Sequence, residues 1–431
     1  MNEGIAADSI ISNAAKQVLA PNGLLLDSAR AHSAWMLATD TFSHTGVNGT
    51  SPHQRMVNAG YVFGAPAWGS GENIAIVGSS GSLNLTDSVV QMHENLFLSP
   101  GHRENILDPA FREVGTGVAS GNFDFQGNSG VLNAVDVTEN FAFSGTKRFV
   151  TGVCITDLDG DNFYDIGEGR GGMLIEVRRG GNLLEDSSSQ SAGGYAVGLS
   201  AGVCEVRFSG AGLATAVNCT VDTSAGNVKV DLAGTVEILC SGDVTLGAGA
   251  RHATLLGIAG IDAIGNSSAN TLVGNRGANI LSGLNGNDNL LGSAGSDRLL
   301  GGAGIDRLTG GVGRDVHTGG SERDIFDFNS LSESATGTST RDRITDFVHG
   351  TDDLDLSTID AIAGGINDAF KFIGQSAFNG TAGQLHYRRE NPAGTANDKT
   401  IVEGDIDGDR GADFQIELTG LLTLSSSDFI L

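Results

Sequence analysis

The sequence predicts a multidomain α+β chain in which one mixed α/β domain is followed by three β-rich segments. Three observations carry that prediction. Seven glycines recur every nine residues at Gly265, Gly274, Gly283, Gly292, Gly301, Gly310 and Gly319, and fixed self-similarity of this kind marks a stacked repeat. Apolar residues spaced three and four apart occur in SIISNAAKQVLA, LLLDSARAHSAWML and TDSVVQMHENLFL, all near the start, whereas later apolar segments alternate with polar ones. The length, 431 residues, is also long for one domain. The divisions that follow are residues 1–145, 146–240, 241–330 and 331–431.

Written from each periodic glycine, the blocks read GNSSANTLV, GNRGANILS, GLNGNDNLL, GSAGSDRLL, GGAGIDRLT, GGVGRDVHT and GGSERDIFD. Glycine accepts positive φ, so the Gly-rich half of each block can turn tightly and expose its backbone carbonyls. The apolar residue that follows, as at Leu290, Leu299 and Leu308, starts a short strand pointing inward. A parallel β-roll results. Its turns bring the sixth-position acids Asp288, Asp297, Asp306, Asp315 and Asp324 opposite carbonyls of Gly283, Gly286, Gly292, Gly295, Gly301, Gly302, Gly304, Gly310, Gly311 and Gly313. Hard oxygens in that arrangement suit calcium, several ions in all. A flexible Gly-rich linker would need neither the spacing nor the apolar eighth position. The blocks resemble the RTX repeat, GGxGxDxUx, of calcium-dependent secreted bacterial proteins. The first two depart from it, with Asn270 and Asn279 in place of Asp.

Fifty-one acidic residues against twenty-five basic ones give a formal net charge of −26, which excludes nucleic acid and anionic membrane as expected partners. Much of this charge lies in D-x-D clusters and reads as a requirement for cations. No apolar run reaches the eighteen or so residues of a membrane span. The start, MNEGIAADSI, lacks the regions of a secretory signal peptide. Cys154, Cys204, Cys219 and Cys240 fall in one stretch without metal-type spacing. Disulfides and small buried apolar residues are both open to them.

In residues 1–145 the helices precede strands at VGTGVAS and VLNAVDV, with polar islands FSHTG, GENIA and SPGHRENIL. These hold His44, Glu72 and His102, which together would suit a divalent metal such as zinc, or general acid–base work. The three phrases in this order resemble the bacterial branch of the CAP (SCP-like) superfamily. The resemblance implies an α–β–α sandwich with a central cleft of two His and two Glu, three of which match His44, Glu72 and His102. Where other members carry W-x-x-E, the register here runs from Leu96 to Ser99, so Ser99 stands at the fourth position. Glu94, about one and a half turns earlier, is the acid that could substitute, and His93 is its neighbour. His93-Glu94 also begins like the zinc-protease motif H-E-x-x-H, but Phe97 holds the place of the second ligand.

Residues 146–240 alternate apolar and polar positions in RFVTGVCITD, GMLIEVRRG, GGYAVGLSAG, GVCEVRFSG, NVKVDL and TVEIL, which predicts a small β-sandwich. The order resembles Cna B-type and transthyretin-like modules. Between the first strands, Asp157, Asp159, Asp161, Asp165 and Glu168 fall at positions 1, 3, 5, 9 and 12, with the Phe163 carbonyl at 7, the spacing of an EF-hand calcium loop. Asn162 holds the glycine position, and Asn also tolerates positive φ.

Residues 331–431 resemble the C-terminal domain of serralysin proteases, a β-rich cap that closes the roll and carries an uncleaved address for type I export. Asp342 and Asp346 match acidic positions of that family's D-x-I-x-D-F phrase, and Asp428-Phe429-Ile430-Leu431 matches its ending. Asp405, Asp407, Asp409 and Asp413 form a second loop-like cluster, in which Ile416 occupies position 12 and Glu417 comes one late. The expectation is a secreted bacterial protein, partnered by a type I exporter and an extracellular ligand of unknown chemistry. The first reading of the cleft is a non-enzymatic site for a metal or small ligand. A hydrolase, as a peptidase, and an adhesive module are the rivals.

Overall fold

The computed structural model describes residues 16–126, 130–362, 364, 367–391 and 398–431. The first predicted helix, SIISNAAKQVLA, falls mostly outside them; its last residue, Ala20, instead opens the short strand Ala20–Pro21 (β1), parallel to Glu113–Val114. Helix α1 (Gly23–Ala38) starts where the Asn22 side chain accepts the N–H groups of Leu24 and Leu25, satisfying donors that a helix start leaves unpaired. Then come α2 (Pro52–Asn58), β2 (Trp68–Ser79), α3 (Leu85–Leu98), α4 (Pro100–Ile106), β3 (Glu113–Asp124) and β4 (Val131–Ser144). Ser99-Pro100 ends α3 as expected. Proline at the first position of α4 then starts another helix, because the missing N–H costs nothing there.

The four strands form a sheet in the order β1-β3-β4-β2. Alternation along β4 sorts its two faces. Ala134, Thr138, Asn140 and Ala142 meet Leu37, Ser33 and Leu25 of α1, while Val135, Val137 and Glu139 meet Met92 and His93 of α3. Close approach of α1 depends on glycine: a Cβ on Gly117 would lie 2.0 Å from the Arg30 nitrogen, and one on Gly115 would lie 2.1 Å from that of Leu26. Strand β2 is outermost, and GENIA runs along it.

Residues 148–240 supply eight strands in two sheets. One holds Met173–Arg179, Asn182–Ser188, Val203–Gly210 and Val217–Asp222; the other holds Arg148–Ile155, Gly194–Leu199, Val228–Ala233 and Glu237–Cys240. The strands at 182–188 and 217–222 were not anticipated. All four cysteines are buried and unpaired in this core, where burial pushes the Cys154 and Cys240 thiols up to about 12.

Both sheets continue past residue 240 into the repeats without a break. One adds Thr271–Val273, Asn289–Leu291, Arg307–Thr309 and Ile325–Asp327, and the other adds Ile280–Asn285, Arg298–Ala303 and Val316–Ser321, all in parallel. Leu272 pairs with Leu290, Leu290 with Leu308, and Leu308 with Phe326. The coil therefore advances 18 residues per turn: the sequence period is nine because alternate blocks serve alternate sheets. Past the repeats, Asp342–Ile344 and Phe414–Thr419 extend one sheet, and Asp353–Asp355 and Phe429–Ile430 extend the other. These strands cover edges that would otherwise carry unpaired backbone. A single apolar core runs from Val150 to Phe429. Among the described residues, no helix is long and apolar enough to cross a membrane.

Candidate functional site

The N-terminal residues of interest gather around the outer strand β2. Glu72 lies opposite Asn140 and Asn73 opposite Glu139, so the two neighbours project to opposite faces of the sheet. On the α1 side, Glu72 Oε1 is 2.9 Å from His44 Nδ1, and Arg55 Nη2 donates to Glu72 Oε2 at 2.5 Å. Arg55 also donates to the carbonyls of His44 and Thr50 at 2.9 and 3.0 Å, which ties the His44 loop to α2. The Glu72 side chain is 1% exposed and that of His44 53%. A buried carboxylate with two charged or polar partners thus holds an imidazole at the surface. His32, buried on α1, bonds the Ser43 carbonyl at 2.9 Å, and burial lowers its pKa.

On the α3 side, His102 Nδ1 is 2.8 Å from Ser99 Oγ. Burial, and secondarily the nearby His44, lower the His102 pKa and keep the ring neutral at pH 7. Asn73 donates to the His102 carbonyl at 3.2 Å and to Glu139 Oε2 at 3.1 Å; Asn105 donates to Asn73 Oδ1 at 2.9 Å and to the Glu72 carbonyl at 3.3 Å. This chain of amides locks both halves of the site to β2. His93 Nδ1 is 2.8 Å from Glu139 Oε1, which raises its pKa. Glu94 is exposed on α3, with no hydrogen bond or ion pair among the described residues, so Ser99 and not Glu94 stands beside His102. A cleft of about 320 Å³ opens here, lined by Phe42, Ile74, Met92, Leu96, Ser99 and His102 among others.

These donors do not assemble into a metal cage. Both Glu72 oxygens are engaged, and among the described residues no three His, Cys, Asp or Glu ligands converge at the cleft. Arg55, Asn73, Asn105, Glu139 and His32 were not foreseen. Arg55 lies in PHQRMVN, which has no helical apolar stripe, and the partner of Glu139 is set only by sheet register.

The repeats present a different chemistry. Asp288, Asp297, Asp306, Asp315 and Asp324 are at most 2% exposed. Each accepts through Oδ1 the backbone N–H of the sixth-position residue one coil turn earlier, at 2.7–3.0 Å. Each leaves Oδ2 without a hydrogen-bond partner, an arrangement costly for a buried charge. The orphaned oxygen lies over a glycine, where a Cβ would be 2.2–2.6 Å away, at Gly283, Gly292, Gly301, Gly310 and Gly319. Over Gly283, Gly292 and Gly301 the carbonyl of Gly301, Gly310 or Gly319 from the next turn also points in. Gly286, Gly295, Gly302, Gly304, Gly311 and Gly313 all have φ between 88° and 156°; at Gly302 a Cβ would strike the Leu284 carbonyl at 1.9 Å. Burial drives the pKa values up, to about 8 for Asp315, about 7 for Asp324 and about 6 for Asp288 and Asp297. Unpaired carboxylate oxygens beside carbonyls fit a hard cation. By contrast, Asn270 and Asn279 donate their amides to the Arg251 and Ile261 carbonyls at 3.1 and 2.6 Å, so those two turns are closed by the protein itself.

Beyond the repeats, Asp342 Oδ1 accepts from Asp315 N at 2.8 Å, and its Oδ2 is orphaned. Asp346 spends both oxygens on Gly319 and Gly320 N–H groups at 3.0 and 2.9 Å. In the 157–168 loop, ligand atoms of Asp157, Asp159 and Glu168, and of Asp159, Asp161 and Asp165, come within 4.8 Å of one another. Asn162 has φ 62°, Phe163 donates its N–H to Asp161, and Glu168 accepts from Leu158 and Asp165. Strands flank this loop on both sides. Asp405, Asp407 and Asp413 form a like group without Asp409, while Glu417 is tied to Arg341.

Comparison with known proteins agrees with this layout in part. Residues 12–130 match the family model of the cysteine-rich secretory protein family, CAP, and residues 262–431 match that of the peptidase M10 serralysin C terminal. The chain thus carries a CAP domain and a serralysin-type C-terminal domain. Among solved structures it is similar to an extracellular protein containing an SCP domain from Bacillus anthracis strain Ames, at 25% identity and a TM-score of 0.22, over 29% of this chain and 34% of that one. It spans about a third of that protein's length. Two subunits of the mannuronan C5-epimerase of Azotobacter vinelandii are similar at 25% and 24% identity, with TM-scores of 0.19 and 0.22. They cover 39% and 41% of this chain, and 80% and 92% of their own lengths. No curated protein matches the chain.

Proposed function

We propose that the protein is a calcium-binding bacterial protein, exported by a type I system, whose CAP domain presents a cleft for a small extracellular ligand. A CAP domain joined to a serralysin-type C-terminal domain fits a secreted bacterial protein. The observation that carries the calcium reading is the row of five buried aspartates, each with one unpaired oxygen aimed at a glycine-lined niche. On this reading the repeats form a parallel β-roll, and residues 148–240 form a β-sandwich continuous with it. Asp288, Asp297 and Asp306, with carbonyls of the facing glycines, and Asp324 over Gly319 would hold the ions; the 157–168 loop would hold another. Bound calcium supplies the positive charge that the buried carboxylates lack.

Export follows from magnitudes. Extracellular calcium modules bind with dissociation constants of about 10⁻⁴ to 10⁻³ M, far above cytosolic free calcium. The acidic half therefore stays open inside the cell and threads outward. Outside, each site occupied at 100 times its dissociation constant adds about 2.7 kcal/mol to the folded state. Folding then makes passage one-way.

For the cleft we favour binding because its lining is mainly apolar, while Glu72, paired with Arg55 and His44, holds the His44 ring in place. The apolar walls and the Ser99–His102 pair suit a ligand with one polar end. Calcium titration of the chelated full-length chain, followed by far-UV circular dichroism, tests the first half: strand signal already complete in chelator would sink it. The second half is tested with a His44→Ala, His102→Ala double variant screened against peptide and glycan libraries. Loss of binding without any turnover in the parent is expected; turnover that the double variant lacks would make the cleft a hydrolase.

A further inference from the structure

One turn of the coil breaks the rule of the others. Leu272, Leu281, Leu290, Leu299 and Leu308 fill the inward position and are fully buried. In GGVGRDVHT that position is His317, which pairs in register with Leu299 on one side and occupies the core with 0% exposure. Neither ring nitrogen has a hydrogen-bond partner. An unpaired imidazole in such a place is unfavourable unless something else engages it.

Two carboxylates converge on it. Ligand atoms of Asp315, His317 and Asp342 all lie within 4.8 Å of one another, and all three residues are buried. Asp315 and Asp342 each use Oδ1 for a backbone N–H and leave Oδ2 unpaired. His317 Nε2 is 3.5 Å from Asp342 Oδ2. That is long for a directed hydrogen bond. It matches two donors on one ion, since ligands at about 2.0–2.1 Å in tetrahedral array stand roughly 3.4 Å apart.

The niche over Gly310 shows what has changed. Over Gly283, Gly292 and Gly301, the aspartate Oδ2 is joined by a glycine carbonyl from the next turn. Over Gly310 the atoms nearest to a Cβ are those of Asp315 and His317, with His317 Nε2 at 2.9 Å; from Asp315 to Asp342 the coil advances 27 residues instead of 18. A nitrogen donor therefore stands beside the aspartate oxygen in this niche. Calcium takes oxygen ligands, whereas imidazole with carboxylate suits zinc and similar borderline ions.

We propose that Asp315, His317 and Asp342 form a buried site for zinc, so that the last turn of the roll takes a different metal from the calcium turns before it. The inference deepens the cation-binding reading given above. Two carboxylates and one neutral imidazole balance a divalent charge, and Asp342 belongs to the segment after the repeats. The ion would therefore fasten the C-terminal segment to the roll.

The test uses the full chain, stripped of metal in denaturant and chelator and refolded in millimolar calcium with cobalt(II), a spectroscopic stand-in for zinc. His317→Leu restores the residue found at Leu281 and Leu299, so it is suited to fold. Wild type should take up one equivalent of cobalt that zinc displaces and calcium does not, and His317→Leu should bind that equivalent at least about tenfold more weakly. Identical cobalt uptake and spectra in the two proteins would overturn the proposal, as would bleaching by calcium. Zinc X-ray absorption of the wild type needs no variant: a first shell of oxygen without nitrogen would also overturn it. A chain that folds without calcium but keeps the cobalt difference would leave this site standing and remove the calcium reading. A calcium-folded chain with no difference would remove this site alone.

Discussion

Asp306 accepts the backbone N–H of Asp288 at 2.8 Å through Oδ1 and leaves Oδ2 unpaired in a site 1% exposed. The same relation recurs along the coil, so pH and calcium should act on stability in opposite directions. Burial raises the folded pKa values to about 6 for Asp288 and Asp297, about 7 for Asp324 and about 8 for Asp315, against roughly 3.9 when unfolded. Between about pH 4 and 8 the folded state holds more protons, so in chelator stability falls as pH rises through that window. With calcium competing for the oxygens of Asp288, Asp297 and Asp324, the gain in melting temperature should be largest above about pH 7 and shrink toward pH 5. Thermal melts with and without chelator across that range check both slopes, and a calcium gain independent of pH would count against the assignment.

Asp306→Asn separates charge from shape. The amide oxygen can still accept from Asp288, but the unpaired anion is gone. In chelator the variant should be more stable by about 1 kcal/mol or more, since a desolvated charge has been removed. In saturating calcium it should be less stable than the parent. A change of the same sign under both conditions, read from urea transitions, would show that Asp306 does not face a cation.

Arg55 and Glu72 form a buried pair. Replacing Arg55 by Met should cost about 3–5 kcal/mol, because Glu72 then keeps its charge with one partner fewer. Adding Glu72→Gln should recover much of that loss. Equal stability of the single and double variants in denaturant titration would mean that Arg55 acts through packing and not through its charge.

Gly117 and Gly101 should respond oppositely to alanine. At Gly117 the new Cβ would lie 2.0 Å from backbone of α1, which must move away from the sheet; a loss of at least about 3 kcal/mol is expected. At Gly101, in the first turn of α4, nothing lies within 4 Å, and alanine should stabilise by roughly 0.5 kcal/mol. Near-native stability of Gly117→Ala would show that α1 can dock by another route.

What could be read in advance followed from local rules. The nine-residue glycine period, the 157–168 spacing and the apolar stripes of α1 and α3 each depend on neighbours in sequence, and the two stripes lie on helices as their pattern predicts. His44, Glu72 and Ser99 were named from their phrases. Arg55, Asn73 and Glu139 were not, because their partners are set by sheet register and helix docking across 17 to 66 residues. The same reason hid the continuity of the two sheets across residue 240, where the linking strand Val244–Leu246 is only three residues long. The exceptional role of His317 was visible only as a break in the repeat. Its significance depends on Asp342, brought to it by the lengthened turn.

The strand Phe429–Ile430 lies in the segment to which the proposal assigns export. Phe429 pairs with Leu354 and packs 4.9 Å from the Phe372 ring, while Asp428 accepts from Ser425 and Gly350 N–H and meets His349. Phe429→Ala should therefore destabilise the closing turns by about 3 kcal/mol. Because the proposed passage is of an unfolded chain, lost stability alone should leave export through a type I system intact. Deleting residues 428–431 removes the proposed address as well and should leave the protein inside the cell. The two variants are compared by the fraction of protein in the medium, measured alongside a melting curve of each purified chain. Secretion of the deletion at the level of Phe429→Ala would separate the tail from export and leave it a structural strand only.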